Sequence, residues 1–297
     1  MALIVTVSTL IVVFLCETIC YLNLRLLFTI FYLKKIAFKP DLTLVYLILA
    51  GDAGYSFCVG LLKIYTLAIT FSKALIVKNL ILFLLIASIL FGVIRTTLIF
   101  SIALFRFIAI YFQISYHNNS HKTLLCAISV NLCLLIFFDQ YMMFGYCNNV
   151  IDVPLVCDNS KCAYNQCYFD FWMFREKLVY ICISMLSAVL AIRLFVWKFC
   201  TKNRTDHMFS KATQIALLDS AVVIFSNILP VFVSSQLSNI DFLITSSMTT
   251  VCRNLGLLIS TVLIYRIFMR DKKLVSVLMV TPSARPTSII PSIYGVE

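Results

Sequence analysis

Residues 79–112 read NLILFLLIASILFGVIRTTLIFSIALFRFIAIYF, and Arg95 and Arg106 are the only charged residues in this apolar run. A helix needs about 20 predominantly apolar residues to cross a bilayer, so this run can cross one while tilted or projecting beyond it. A helix also satisfies its own backbone hydrogen bonds, which a chain surrounded by lipid tails requires. The run therefore predicts a membrane-spanning helix.

Six further apolar runs accompany this one, and they cover residues 3–33, 42–66, 123–146, 177–199, 212–236 and 242–268. The composition agrees, since 62% of the 297 residues are hydrophobic and 12% are charged, against about half and about a quarter in a soluble domain. We therefore predict an all-α membrane protein in which one seven-helix bundle covers residues 1–268. Residues 269–297 contain Ser, Thr and Pro and are predicted to form a short disordered cytoplasmic tail.

The chain carries a formal net charge of +11, which raises the question of a nucleic-acid partner. The basic residues do not cluster, however, and the pairs Lys34–Lys35 and Lys272–Lys273 lie at the edges of apolar runs, where positive charge sets membrane orientation. Lysines and arginines favour the side that follows the first run by about two to one. We expect a multi-pass protein in a lipid bilayer, an external N-terminus and no nucleic-acid partner. Arg25 and Arg193, near the inner ends of their runs, are expected to reach the headgroups.

Four of the 12 cysteines lie in the loop between the fourth and fifth runs: Cys147, Cys157, Cys162 and Cys167. We place this loop on the oxidising outer side, where an even number of cysteines indicates disulfides. The possible pairings stay open, because the sequence alone does not choose among them. A zinc site is disfavoured, since the loop has no histidine and no C-x-x-C pair. No metal or other cofactor is predicted.

Charged residues inside the apolar runs form a second group of candidates. Placing one near the centre of a membrane helix costs about 2.5–3.5 kcal/mol, so such residues face the bundle interior. Arg95 and Arg253 lie deepest, and Asp139 lies near the outer end of its run; these three are candidates for a ligand pocket. The acids at similar depth are Glu17 and Asp52. Either Arg253 pairs with Glu17 while Arg95 meets waters and carbonyls, or one arginine is left for an anionic or strongly polar ligand.

The stretch RFIAIYFQISY, residues 106–116, resembles the D-R-Y-x-A-I-x-x-P-L-x-Y signature of rhodopsin-like G-protein-coupled receptors. Arg106 takes the place of the arginine, Phe107 that of the aromatic residue and Tyr116 that of the final tyrosine. Phe105 and Gln113 stand where the acid and the proline belong. A missing acid removes the neighbour that would hold the arginine inward in the resting state.

Further landmarks resemble those receptors in part. Asp52, in LAGD, is similar to the acid of the second helix, and Asn23 occupies the polar position of the first. Pro230 matches the proline of the sixth helix, and these three residues form a polar core by resemblance. Tyr265 ends TVLIY where N-P-x-x-Y is expected, with Thr261 in place of the asparagine. The usual cysteine at the outer end of the third helix is absent.

Three longer stretches look like the nematode serpentine chemoreceptors, most nearly the Srbc class. They read LNLRLLFTIFYLKKIAFKPDLTL, RFIAIYFQISYHN and NNVIDVPLVCDNSKCAYNQC, and the resemblance covers most of residues 20–270. It implies a rhodopsin-like seven-helix bundle that detects an external small molecule and activates a heterotrimeric G protein. Arg106, Phe107, Tyr116 and Tyr265 would then serve G-protein coupling. The implied location is the plasma membrane, in the cilium of a sensory neuron.

Two other classes of protein, a channel or carrier and an enzyme, predict different features. An inverted seven-helix ligand-gated channel or carrier would have a cytosolic N-terminus and glycans at the Asn118 and Asn203 sequons, both of which we place inside. An enzyme is not expected, because His117, His121 and His207 all lie in predicted loops and no G-x-S-x-G motif is present.

Overall fold

The computed structural model describes residues 2–34, 36, 42–111, 121–153, 163–200, 221–222, 225–226 and 242–280. Within these ranges the chain is helical and contains no β-strand. The long helices described are α1 (Ala2–Phe31), α2 (Thr43–Phe71), α3 (Leu80–Tyr111), α4 (His121–Gln140), α5 (Gln166–Cys200) and α6 (Phe242–Val280). A 3₁₀ turn, Lys73–Leu75, follows α2, and a π-helical turn, Tyr141–Tyr146, continues α4. The all-α prediction is confirmed.

Five helical segments in the described part of the chain are long and apolar enough to cross a membrane: Thr6–Phe31, Thr43–Phe71, Leu80–Phe105, Cys126–Tyr146 and Met248–Met269. Helix α5 is not among them, and it carries Arg175, Glu176 and Lys177 in its first half. The predicted run 212–236 lies mostly outside the described residues. A multi-pass membrane protein is therefore supported, and the count of seven helices stays a prediction.

Helix α5 begins at Gln166, well before the start at residue 177 expected from hydropathy. Asn165 lies immediately before the helix, and its Oδ1 accepts a hydrogen bond from the backbone N–H of Tyr168 at 3.0 Å. A side-chain oxygen at this position satisfies one of the free N–H groups of the first turn, which favours helix initiation. The earlier start brings Arg175 and Glu176 into the helix.

Helix α6 ends at Val280, beyond the expected boundary at residue 268. Residues 269–280 read MRDKKLVSVLMV and contain neither glycine nor proline. These are the two residues that most disfavour a helix, so nothing in this stretch interrupts α6. The helix extends into the segment that composition predicts to be a disordered tail.

Helix α3 lies at the centre of the described bundle. It packs against α2, α4 and α5, while α1 packs against α2 and α6. Gly54 of α2 allows a close approach to α3, because a Cβ atom there would lie 2.5 Å from the ring of Phe91. Large apolar side chains such as Phe14, Phe71 and Phe137 point outward and are exposed, as contact with lipid requires.

The links α2–α3 and α4–α5 meet at one end of the bundle, the end that we expect to face outside. Asn79, just before α3, has a positive φ of 63°, and its Oδ1 accepts a hydrogen bond from the backbone N–H of Val153 at 2.9 Å. Lys78 pairs with Asp152 over 2.9 Å. Two links separated by two helices must lie on the same side of a membrane, and these contacts agree with that.

A disulfide between Cys147 and Cys167 joins the end of the π-helical turn to the first turn of α5. Asn165 also donates a hydrogen bond to the carbonyl of Cys147, and the Oδ1 of Asn149 accepts one from the backbone N–H of Asn165 at 2.9 Å. Cys157 and Cys162 lie outside the described residues.

We predict that Cys147→Ser, made in a chain already carrying Cys157→Ser and Cys162→Ser, exposes the thiol of Cys167 on intact cells. Cys167 is exposed on α5, so a membrane-impermeant maleimide should label it without prior reduction. Loss of the cross-link should also lower surface delivery, since a native disulfide contributes about 2–5 kcal/mol. Labelling and surface protein are both read on one gel.

The matched control is Cys133→Ser, which removes an unpaired cysteine exposed on the outer face of α4. This control should change neither the maleimide labelling of Cys167 on intact cells nor the delivery of the receptor to the surface. Labelling of Cys167 only after the cells are permeabilised would place the loop inside and contradict the orientation.

Candidate functional site

The first feature of the interior is an ion pair between α2 and α3. The Nε of Arg95 lies 2.6 Å from the Oδ1 of Asp52, and the two side chains are 4% and 3% exposed. An uncompensated charge at this depth would be costly, whereas a hydrogen-bonded pair is tolerated. The expectation that Arg95 meets waters and carbonyls instead of a side-chain partner is wrong, because Asp52 faces it from the next helix.

A second ion pair joins α5 to α6. The Nη1 and Nη2 atoms of Arg253 lie 3.3 Å and 3.4 Å from the two carboxylate oxygens of Glu176. The guanidinium also lies over the ring of Tyr55 on α2, 5.3 Å from its centroid, in a cation–π contact. The expected pairing of Arg253 with Glu17 is therefore wrong, and the idea that one of the deep arginines lacks a partner is wrong with it.

Hydropathy alone did not identify Glu176 as a partner. It stands one residue before the apolar run that begins at 177, so it is not among the charged residues inside the apolar runs. The helix start at Gln166 places it about 15 Å along α5. The sequence does contain a signal for the earlier helix start. Asn165 is a residue type that caps helices, and it lies two residues before Cys167.

Two tyrosines complete this part of the interior. Tyr180 lies one turn after Glu176 on α5 and is 6% exposed, and its hydroxyl has no hydrogen-bond partner among the described residues. Tyr55 is also buried. Both rings lie within electrostatic range of Arg95 and Arg253. We call the whole group the interior polar cluster: Asp52, Tyr55, Arg95, Glu176, Tyr180 and Arg253.

Asp139 belongs to a separate contact between α4 and α5. Its carboxylate accepts hydrogen bonds from Arg175 and, at 3.0 Å, from the hydroxyl of Tyr168. Its side chain is 3% exposed, while that of Arg175 is 19% exposed. The sequence grouped Asp139 with Arg95 and Arg253, but its contacts lie with α5 at the outer end, where they hold α4 in place.

A polar seam joins α1 to α6. The Nδ2 of Asn23 donates to the Oγ1 of Thr261 at 3.5 Å, and the thiol of Cys16 donates to the Oδ1 of Asn254 at 3.3 Å. Asn23 is completely buried. The sequence places Asn23 and Thr261 at polar positions by resemblance, but it does not indicate Asn254.

The opposite end of α3 holds Arg106 and Phe107, two of the residues that the resemblance predicts for G-protein coupling. Arg106 lies on α3, but its side chain is outside the described part. Phe107 stacks on Tyr111 with the centroids 4.6 Å apart, and Arg193 of α5 lies 4.0 Å from the centroid of Tyr111. Arg193 thus contacts an aromatic ring of α3, and its expected reach to the headgroups stays a prediction.

The remaining predicted residues have simpler outcomes. Phe105 and Tyr265 pack against the hydrophobic cluster that contains Leu98 and Ile264. Tyr116 and Pro230 lie outside the described residues. Among the described residues, no group of His, Cys, Asp and Glu side chains could hold a metal ion.

We predict that Asp139→Asn lowers the free energy of unfolding by about 2 kcal/mol, because it weakens a charged hydrogen-bond network between α4 and α5. The measurement is denaturant unfolding of the purified chain in lipid bicelles. Asp170→Asn is the matched control, since Asp170 is exposed on α5 and accepts a hydrogen bond from the neighbouring Gln166. It should change stability by less than about 0.5 kcal/mol. Equal effects of the two variants would contradict a structural role for Asp139.

The comparisons with known proteins identify the family. No curated protein matches the chain. The family model described as serpentine type 7TM GPCR chemoreceptor Srbc matches residues 1–272, which include every described helix up to the last turns of α6. The cysteine loop and the Arg106 stretch, on which the resemblance was based, both lie inside the match. The chain belongs to the Srbc family of serpentine 7TM chemoreceptors.

Proposed function

We propose that this receptor binds an external small molecule next to the interior polar cluster and activates a heterotrimeric G protein at the opposite end of α3. Membership of a chemoreceptor family supports the general role. The single observation that carries the specific proposal is the Arg253–Glu176 pair, a polar contact inside a bundle of apolar helices. Charged side chains at such depth mark functional sites more often than elsewhere, because they are costly to keep.

The outer end offers a rigid entrance to this cluster. The Cys147–Cys167 disulfide and the asparagine contacts fold the α4–α5 link against the start of α3. Along α5, the disulfide is followed by the contact with Asp139 and then by Glu176. A ligand that enters beside this link meets the polar side chains of α5 in that order.

Ligand binding at the cluster would change the inner end of the bundle through helices α3 and α5. A ligand shifts the receptor towards the arrangement to which it binds better. Helices α3 and α5 contact the cluster through Arg95 and Glu176, and they contact each other again at Tyr111 and Arg193. A movement of α5 relative to α3 would therefore reach the last turns of α3, where Arg106 stands. An arginine suits docking of a G-protein segment, because it stays charged and donates several hydrogen bonds.

The proposal includes the membrane and the orientation. The receptor would lie in the plasma membrane of a chemosensory neuron, in its cilium, with the N-terminus outside. Phe107, Tyr116 and Tyr265 would line the G-protein side together with Arg106. An external cysteine loop and a basic inner face support this orientation.

We predict that Arg106→Ala reduces G-protein activation at least about tenfold, a loss of about 1.4 kcal/mol of coupling free energy, while surface expression stays normal. Arg106 stands in the last turns of α3, where we expect that removing a charge costs little stability. The measurement is nucleotide exchange on a co-expressed heterotrimeric G protein, normalised to receptor at the cell surface.

Arg25→Ala is the control, because Arg25 is an exposed arginine near the C-terminal end of α1. We expect this end to lie on the same side of the membrane as Arg106. The control variant should leave nucleotide exchange unchanged. Normal activation by Arg106→Ala would assign this arginine to membrane anchoring and remove the coupling role from the proposal.

A further inference from the structure

The two ion pairs of the interior polar cluster differ in length and in access. Arg95 and Asp52 lie 2.6 Å apart and are 4% and 3% exposed. Arg253 and Glu176 lie 3.3 Å apart and are 18% and 17% exposed. Charge-assisted hydrogen bonds have a typical length of about 2.7–2.9 Å. Of the two, Arg253–Glu176, which we call the outer pair, is therefore the longer and the more exposed.

The outer pair also joins two helices whose main packing partners, in the described part of the chain, are other helices. Among the described helices, α5 packs mainly on α3 and α6 packs mainly on α1. Glu176 and Arg253 lie about 15 Å and 16 Å from the start of their helices, so the two residues stand at similar depth.

Next to this pair stands a polar atom without a partner. The hydroxyl of Tyr180 is buried one turn after Glu176 and makes no hydrogen bond among the described residues. A buried polar group that is left unpaired destabilises the fold. A ligand with a polar group in this position would supply the missing hydrogen bond.

We infer that the Arg253–Glu176 pair opens to bind a small zwitterion that carries a carboxylate and an ammonium group, as an α-amino acid does. The carboxylate accepts hydrogen bonds from Arg253 and Tyr180, and the ammonium group donates to Glu176. The inference rests on the receptor function proposed above and specifies its ligand class.

Charge balance selects this class. An anion that paired with Arg253 would leave the half-buried carboxylate of Glu176 without a counter-charge, and a cation that paired with Glu176 would do the same to Arg253. Removing one partner of a buried pair is strongly unfavourable. A zwitterion gives each of the two side chains a new partner of opposite charge, so neither charge is left uncompensated. Tyr55 remains in contact with the guanidinium throughout.

The test measures thermal stabilisation of the full-length receptor in lipid nanodiscs by each of the common α-amino acids, because a ligand that binds the folded state raises its melting temperature. The best amino acid is then compared with its analogues that lack the amino group or the carboxyl group. For leucine these are 4-methylpentanoate and 3-methylbutylamine. We expect stabilisation by the zwitterion and none by either analogue. Equal stabilisation by an analogue, or none by any amino acid, would overturn the inference.

Variants then place the ligand. Tyr180→Phe should weaken binding at least about threefold without loss of stability, since it removes a hydroxyl that has no partner in the free receptor. The double variant Glu176→Gln, Arg253→Gln keeps two neutral groups that can bond to each other and should weaken binding at least about tenfold. Arg25→Gln is the control with unchanged binding. A normal dissociation constant in the double variant would refute this site.

The readout separates this inference from the proposed function. An amino acid that binds at this site but activates no G protein would count against the signalling role alone. Activation of a G protein by a different class of ligand, with no amino acid binding, would count against the inference alone.

Discussion

Arg95 and Asp52 face each other across α2 and α3 with almost no access to water, and the packing of the interior follows from this contact. A charge in this position has no partner in lipid, so each of the two residues needs the other. Successive residues of a helix point about 100° apart, and a shift of one residue in either helix would separate the pair. The ion pair therefore fixes how α2 and α3 pack, and Gly54 lets them come close enough to do so.

The remaining polar contacts join the other helices to one another. The seam of Asn23 and Thr261 attaches α1 to α6, and the contact of Asp139 with Arg175 attaches α4 to α5. The Arg253–Glu176 pair connects α5 to α6, and among the described helices these two pack mainly on α3 and on α1 respectively. The two ion pairs of the interior polar cluster thus differ in length and in access to water.

The apolar runs made the helical class and most helix positions predictable, since a lipid environment leaves few alternatives to a helix. The ion-pair partner of each charged residue was harder to predict from the sequence. The sequence shows which residues are charged, but only the rotation of each helix shows that Arg95 meets Asp52. Glu176 was missed for another reason: hydropathy detects the apolar part of a helix, whereas α5 begins earlier, at the cap that Asn165 provides. The extension of α6 to Val280 was missed because composition was used where the absence of helix breakers was the better guide.

The most direct test of this account is a double-mutant cycle on the central pair, measured as the free energy of unfolding in lipid bicelles. Asp52→Asn and Arg95→Gln should each cost about 3–5 kcal/mol, since each removes one charged partner of a buried ion pair. The double variant should cost less than the sum by at least about 2 kcal/mol, because it removes both charges together. Additive costs, within about 0.5 kcal/mol, would show that the two residues act independently and would contradict the central role given to their contact.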